Sequence, residues 1–354
     1  MILAIIDANK EWPKLLKALD IEYLNEDPRF SSFKKMNENF TILYEELEKI
    51  FIQYSLKEIT EKLRYSEIFY SVQGEGRFVG VPSVFFRVFG CNFNCHGFGQ
   101  GRDKSKWLKP DEMPYMTQDL SHVKHVRDLP VVEIGCDASA SWASRYKHLV
   151  SWDSVEEIAA KIREYTPNNK WTNDNGSDIH FIITGGEPML WQRETQQMLR
   201  QPEFRDLKNL TIETNCTQPF KAEFERFLQG LVHGDYTKEP VHITWSTSPK
   251  LSISGEHWAK AIKPFVARQY AKIPNSHLYF KFVIQDEKDL EEVEMARKEY
   301  KELGVEADIY LMAVGATQEG QAKTSKQVAD IALQNGYKYS PRLHVDLFGN
   351  KWGT

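Results

Sequence analysis

Apolar and polar positions follow three textures along this chain, and each change of texture marks a change of organisation. Over residues 11–19 and 39–63 apolar side chains return every three or four positions. Phe40, Leu43, Tyr44, Leu47, Ile50 and Phe51 trace one face of a helix. Residues 25–32, which include Asp27, Pro28 and two serines, read as a turn between the two helical stretches. Residues 1–64 are therefore expected to form a small helical extension at the N-terminal side.

A second texture occupies residues 70–95. Gln73, Gly74, Glu75 and Gly76 make a polar turn with two flexible positions, suited to close approach by a ligand. Val84, Phe85, Phe86 and Val88 follow as an apolar run of strand length over residues 83–89, interrupted by Arg87. A charge inside a buried strand needs a partner or a ligand. Cys91 and Cys95 come directly after it.

From Ser151 onward, short apolar runs alternate with helical periods. Residues 178–183, 210–213, 241–245, 278–284 and 308–312 have the length of buried strands. Helices are expected over 154–165, 188–200, 286–303 and 325–335. The first opens with Ser154 and acidic residues, and the last has Gly336 in capping position. Residues 342–347 close the series. Polar clusters stand at the C-terminal ends of the strands: Thr184 to Pro188, Thr214 and Asn215, and Ser246 to Lys250. This pattern predicts an α/β fold, a partial barrel of parallel strands over residues 65–354. Residues 97–134 lack any period and read as an insertion, either a functional loop or a solvated excursion. Arg102, Lys104, Lys106, Lys109, Lys124 and Arg127 suggest a basic tilt there.

Composition narrows the function classes. A formal net charge of -5 over 354 residues gives no general electrostatic grip on nucleic acid. Four cysteines are too few for a disulfide scaffold at this size. No apolar run approaches the ~18 residues that span a bilayer. The first residues meet Asp7 without a basic region before it, unlike a secretory signal, so a cytoplasmic protein is expected.

Cys91, Cys95 and Cys136 could supply three thiolates to one centre. Iron–sulfur clusters are held by such thiolates, normally four, and three would leave one iron open. Zinc is the competing reading, with His96 or another histidine as fourth ligand. A plain buried thiol competes for Cys136 alone, and is the better reading of Cys216. Gly185 and Gly186 with Glu187 and Pro188, taken alone, fit a βα turn. So do Ser248, Pro249 and Lys250.

Together these segments resemble a family, the 7-carboxy-7-deazaguanine synthases of the radical S-adenosylmethionine superfamily, on the queuosine and 7-deazaguanine pathway. The resemblance rests on SVQGEG, Arg87 four residues before Cys91, FGCNFNC, GCDASASW, TGGEP, ETN, STSPK, YFKFV and RLHVDLFGN, in the family's order from residue 65 to 354. It implies that Cys91, Cys95 and Cys136 hold a [4Fe–4S] cluster whose open iron binds S-adenosylmethionine. It implies that Gly135, Cys136, Asp137, Gly186, Ser248, Pro249 and Lys250 contact that cofactor. Val72, Gln73, Gly74, Arg87, Thr184 and Thr354 would hold a pterin substrate, with the Arg87 guanidinium on its carboxylate. An electron donor such as flavodoxin or ferredoxin is implied as partner, and a homodimer is one expectation for the assembly.

Two departures from the family stand out. Forty residues separate Cys95 from Cys136, where the family has a short spacing. Loop-closure cost grows slowly with length, so one site remains compatible with that gap. Ala138 stands where the family has a threonine whose oxygen binds magnesium, and alanine offers a hard cation nothing. Ser139 is the candidate substitute. Residues 11–30 separately resemble a fragment of class III CoA-transferases, with no catalytic stretch and no function implied. Two other readings compete. One is a radical enzyme that activates a partner protein; the other is a zinc-stabilised binding protein without catalysis.

Overall fold

A computed structural model describes residues 23–53 and 62–354. The chain forms two compact units, Met1–Glu61 and Lys62–Thr354. In the first, a single helical turn (Tyr23–Glu26) precedes two longer helices, α1 (Phe33–Glu38) and α2 (Phe40–Gln53). Ser32 caps α1 by accepting from the Lys35 backbone N–H, and the Asn39 side chain donates to the Lys35 carbonyl at 2.9 Å. Leu43 is buried, whereas Phe40 and Tyr44 on the expected apolar face are exposed. The helix expected over 11–19 lies outside the described residues, as does most of the CoA-transferase-like fragment.

The helical reading up to Leu63 overran. Lys62 already begins β1 (Lys62–Val72), whose side chains alternate only loosely between buried and half-exposed. β1 pairs antiparallel with β2 (Pro82–Val88) on one side and β3 (Ser151–Ser154) on the other. Beyond β2 the sheet is parallel: β4 (His180–Gly185), β5 (Asn209–Thr214), β6 (His242–Thr247), β7 (Ser276–Ile284), β8 (Asp308–Ala313) and β9 (Lys338–Ser340) follow in sequence order. The nine strands form one open sheet with β3 and β9 at its edges. The expected partial barrel of parallel strands is present, with an antiparallel flank.

Helices α3 (Val155–Glu164), α4 (Gln192–Leu199), α5 (Ala222–His233), α6 (Pro264–Ala271), α7 (Glu287–Glu302) and α8 (Gln318–Gln334) connect the strands. Ser154 and Glu157 form a reciprocal capping box at the start of α3. The parallel strands send alternate side chains to opposite faces. Phe181 and Ile183 of β4 join the main core beneath the helices, with Phe86, Trp245, Phe282 and Tyr270. Ile182, between them, faces the other way and packs with Phe69 and Phe85. Burying each large side chain contributes about 1.5–3 kcal/mol, which holds helices to sheet.

Three expectations change. Residues 342–347 belong to a short helix, α9 (Leu343–Phe348), after the unanticipated strand β9. The helix expected from Ser325 starts two turns earlier, behind Thr317, whose side chain accepts from the Gly320 N–H. The insertion has its own packed interior: Met113, Tyr115, Leu120, Val123, Val126 and Leu129 are buried together with Ala140, Ala143 and Tyr146. Its basic residues are matched by Asp103, Asp111, Glu112, Asp119, Asp128 and Glu133, so residues 97–134 carry no formal net charge. The segment therefore has no basic tilt. Arg102 anchors the segment on α7, donating to Asp289 Oδ2 at 2.8 Å and to Asp286 Oδ2 at 3.1 Å.

Candidate active site

Parallel strands bring their C-terminal ends to one side of a sheet, where ligand sites are built. Here one cavity lies at those ends, and most residues singled out from the sequence line it. Val72, Gln73 and Gly74 enter from the turn after β1, and Arg87 from β2. Cys91 and Cys95 come from the loop after β2, and Gly135, Cys136 and Asp137 from the end of the insertion. Thr184 and Gly186 close β4; Ser248 and Lys250 follow β6; Thr354 comes from the last described residues. Pro249, expected to contact the cofactor, does not line the cavity.

The three thiols meet on its wall. Cys91 and Cys136 pack against the apolar cluster of Phe93, Cys95 and Ala261. Burial pushes Cys91 up to about 12, with the Glu187 charge adding to it, and Cys136 up to about 11, with Asp137 adding. Cys95 is raised well above an ordinary thiol for the same first reason. The charge on Cys136 also acts on both other thiols, so the three share one electrostatic environment. Buried thiols of this kind give up protons only to a metal, and binding would couple to that release. Among the described residues no three His, Cys, Asp or Glu side chains are gathered tightly enough to grip a single ion. A four-iron cluster is a wider object than one ion and spaces its thiolates further apart. The donor set, three soft thiolates in an apolar wall with a cation nearby at Lys250, fits such a cluster. His96, the candidate fourth zinc ligand, does not line the cavity. It packs edge-on against Trp107 at 5.8 Å and meets Asn94 at 3.3 Å.

The Gly-Gly turn has a packing reason. Gly185 sits at φ +125°, and a side chain there would strike the Val88 backbone. On Gly186 a Cβ would come 2.1 Å from the Gly90 carbonyl oxygen. Only glycine lets β4 end flush against the exit of β2. Glu187 is fully buried and stitches β4 to β5, accepting from Thr214 Oγ1 at 2.6 Å, the Asn215 N–H at 2.7 Å and the Met189 N–H at 3.0 Å. Burial still outweighs these bonds and raises its carboxyl.

Several cavity residues were missed by sequence reasoning. Glu213 accepts from Gln73 Nε2 at 3.0 Å and from Thr184 Oγ1 at 2.8 Å, which places a carboxylate between two expected substrate residues. Glu75 pairs with Lys281 and accepts from Arg342 Nε at 2.9 Å. Arg342 also donates to Asp137 and, at 3.0 Å, to the Gly315 carbonyl. Burial alone would raise the Glu75 carboxyl, but Lys281, Arg342 and His344 outweigh it and hold it well below the carboxylate range. Burial and then the Arg342 charge bring His344 down to about 4. His344 also backs onto Gly74, where a Cβ would meet its Nδ1 at 2.0 Å. The signal for Lys281 was present: a lone cation inside an apolar strand, as with Arg87. Ser139, the candidate magnesium ligand, is buried and does not line the cavity, whereas Ala138 does.

No family model matches the chain. It is 28% identical over 296 residues to the 7-carboxy-7-deazaguanine synthase of Pyrobaculum aerophilum, covering 83% of this chain and 98% of that protein. The protein of the same name from Halobacterium salinarum is 28% identical over 307 residues, covering 81% and 91%. That from Hyperthermus butylicus is 25% identical over 289 residues, covering 80% and 92%. Over most of its length the chain is thus similar to 7-carboxy-7-deazaguanine synthases. Among solved structures, QueE from Escherichia coli matches at a TM-score of 0.42 and 17% identity, over 80% of this chain and 95% of that one. These synthase relatives are matched over nearly their full length.

Proposed function

We propose that this protein converts 6-carboxy-5,6,7,8-tetrahydropterin to 7-carboxy-7-deazaguanine with loss of ammonia. The observation that carries the reading is one cavity whose wall holds three convergent thiols together with the Arg87 guanidinium. Cys91, Cys95 and Cys136 would hold a [4Fe–4S] cluster. With S-adenosylmethionine, that group supplies the radical chemistry that takes hydrogen from an unactivated carbon.

The chain's own residues bind and orient. Arg87 takes the substrate carboxylate as a planar two-pronged donor. Gln73, Thr184 and Glu213 present acceptors and donors to the pterin edge, with Val72 and Gly74 as backbone walls and Thr354 at the rim. Phe69, Phe85, Val283 and Met312 exclude water from the reacting ring. Gly135 to Asp137, Gly186, Ser248 and Lys250, all on the cavity wall, would receive the sulfonium cofactor, with Pro249 between the last two but off the wall. Lys250 donates to Ser248 Oγ at 3.0 Å, which holds both at the wall.

An outside one-electron donor, a flavodoxin or a ferredoxin, is part of this reading. So are a cytoplasmic setting and a homodimer, which light scattering would test. Among the described residues no helix is long and apolar enough to cross a membrane. The decisive experiment is anaerobic reconstitution with iron and sulfide, then S-adenosylmethionine, reductant and the pterin, followed by mass spectrometry. Both 5′-deoxyadenosine and 7-carboxy-7-deazaguanine are expected. If 5′-deoxyadenosine forms without the deazaguanine, the substrate is wrong. If a cluster-loaded protein gives neither product, the enzyme reading fails.

A further inference from the structure

Arg87 is held on three sides. Glu67 sits directly opposite it across the antiparallel β1–β2 pair, and its Oε1 accepts from Arg87 Nε at 2.8 Å. The guanidinium carbon lies 5.7 Å from the ring centroid of Phe69 and 5.6 Å from that of Trp352. Phe69 is itself fixed by stacking on Phe85 at 4.8 Å. Trp352 packs against the buried interior of the insertion; burial raises the Glu67 carboxyl overall, while the Arg87 charge and, less strongly, the Gly353 backbone N–H pull the other way. Among the described residues, neither Nη atom of Arg87 has a hydrogen-bond partner, although the side chain lines the cavity and is only 20% exposed.

We propose that Glu67, Phe69 and Trp352 form a clamp that fixes the Arg87 plane with its Nη edge turned to the cavity, and that this clamp sets selectivity for a carboxylated ring. The inference rests on the proposed reaction. A guanidinium free to turn loses the pre-arranged pair of parallel donors that a carboxylate needs, while rings on its faces and an acceptor on Nε leave one edge for the ligand. Glu67 and Arg87 cancel in charge, so the pair binds an anion by directed hydrogen bonds rather than by net attraction. Trp352 is in this account a positioning residue. It also ties the insertion to the substrate side, since its ring serves both.

The test compares cluster-loaded wild type with Trp352→Leu and Trp352→Phe. Calorimetry measures binding of 6-carboxytetrahydropterin and of the same pterin without the carboxylate, and steady-state assays separate KM from kcat. Trp352→Leu should lose roughly tenfold in preference for the carboxylated ligand, with the change in KM. Trp352→Phe, which restores an aromatic face, should recover most of it. The visible absorbance of the cluster should stay as in wild type, and the melting temperature should fall by no more than a few degrees, reflecting the packing that Trp352 gives the insertion. A Trp352→Leu protein that keeps the full preference overturns the clamp. So does a loss that Phe fails to restore, since that is a merely structural defect. If Trp352→Leu does not fold, Phe69→Leu, which removes the other ring, gives the same comparison. A wild type that forms no 7-carboxy-7-deazaguanine overturns the reaction instead, which keeps the two failures apart.

Discussion

Glu75 and Lys281 form a buried ion pair across 206 positions of sequence. It joins the turn after β1 to the middle of β7 and so fixes two walls of the cavity to each other. Burial lowers a lysine, but Glu75 and Glu213 outweigh that and raise Lys281 above its ordinary value. Breaking such a pair by removing one partner leaves an uncompensated buried charge, at a cost of about 3–5 kcal/mol. Lys281→Met should therefore lower the urea midpoint strongly at unchanged slope, and Glu75→Gln combined with it should cost less than the two changes added.

The thiols separate by role. Cys136→Ala, Cys91→Ala and Cys95→Ala should each abolish the visible absorbance of the reconstituted protein. Cys216→Ala should keep it, because Cys216 lies wholly within the core beneath the helices. Iron content and the absorbance spectrum check this. An intact cluster without Cys136 would remove it from the ligand set.

Acid should weaken the fold before it reaches the carboxylates. Burial holds His180 down to about 4, its Nδ1 has no partner, and its ring meets Phe78 edge-on at 4.5 Å. The unfolded chain takes up a proton near pH 6.5, which the folded protein refuses until about pH 4. Stability is then full above about 6.5 and falls across that window as the pH drops. His344, also held down, adds to the same slope. His180→Leu should reduce the slope of urea midpoint against pH between about 6.5 and 4, and leave it unchanged above. The depressed Glu75 carboxyl acts lower, with stability lost below the ordinary carboxylate range.

Ala138 brings no side-chain oxygen to the cavity, and Ser139 is buried and does not line it. Turnover should be flat against added magnesium in the wild type. Ala138→Thr should introduce a rising response, checked by initial rates across a magnesium series.

The barrel was legible because its parallel strands are buried on both faces and read as short apolar runs with polar ends. Those ends, from Thr184 to Glu187 and from Ser246 to Lys250, then fell together at one sheet edge. β1 was not legible: an antiparallel strand half exposed, with a bulge between Tyr65 and Glu67, shows no clean period. The insertion misled for a related reason. Its interior is built on short turns rather than long helices, so buried Met113, Tyr115 and Val126 recur without rhythm. Arg342 reaches Glu75 and Asp137 over 267 and 205 positions, pairings that no local pattern records.

The insertion leaves the chain after Cys95 and returns at Cys136 with a packed interior and an arginine anchor on α7. Backbone hydrogen bonds hold both ends of that excursion: the Gly97 N–H donates to the Ser254 carbonyl at 2.9 Å and the Gly135 N–H to the Phe98 carbonyl at 2.7 Å. A metal group bridging them would act as a rivet in a frame that already stands. Its loss would then leave the walls in place, and iron and sulfide added back to the same molecules should restore the visible absorbance.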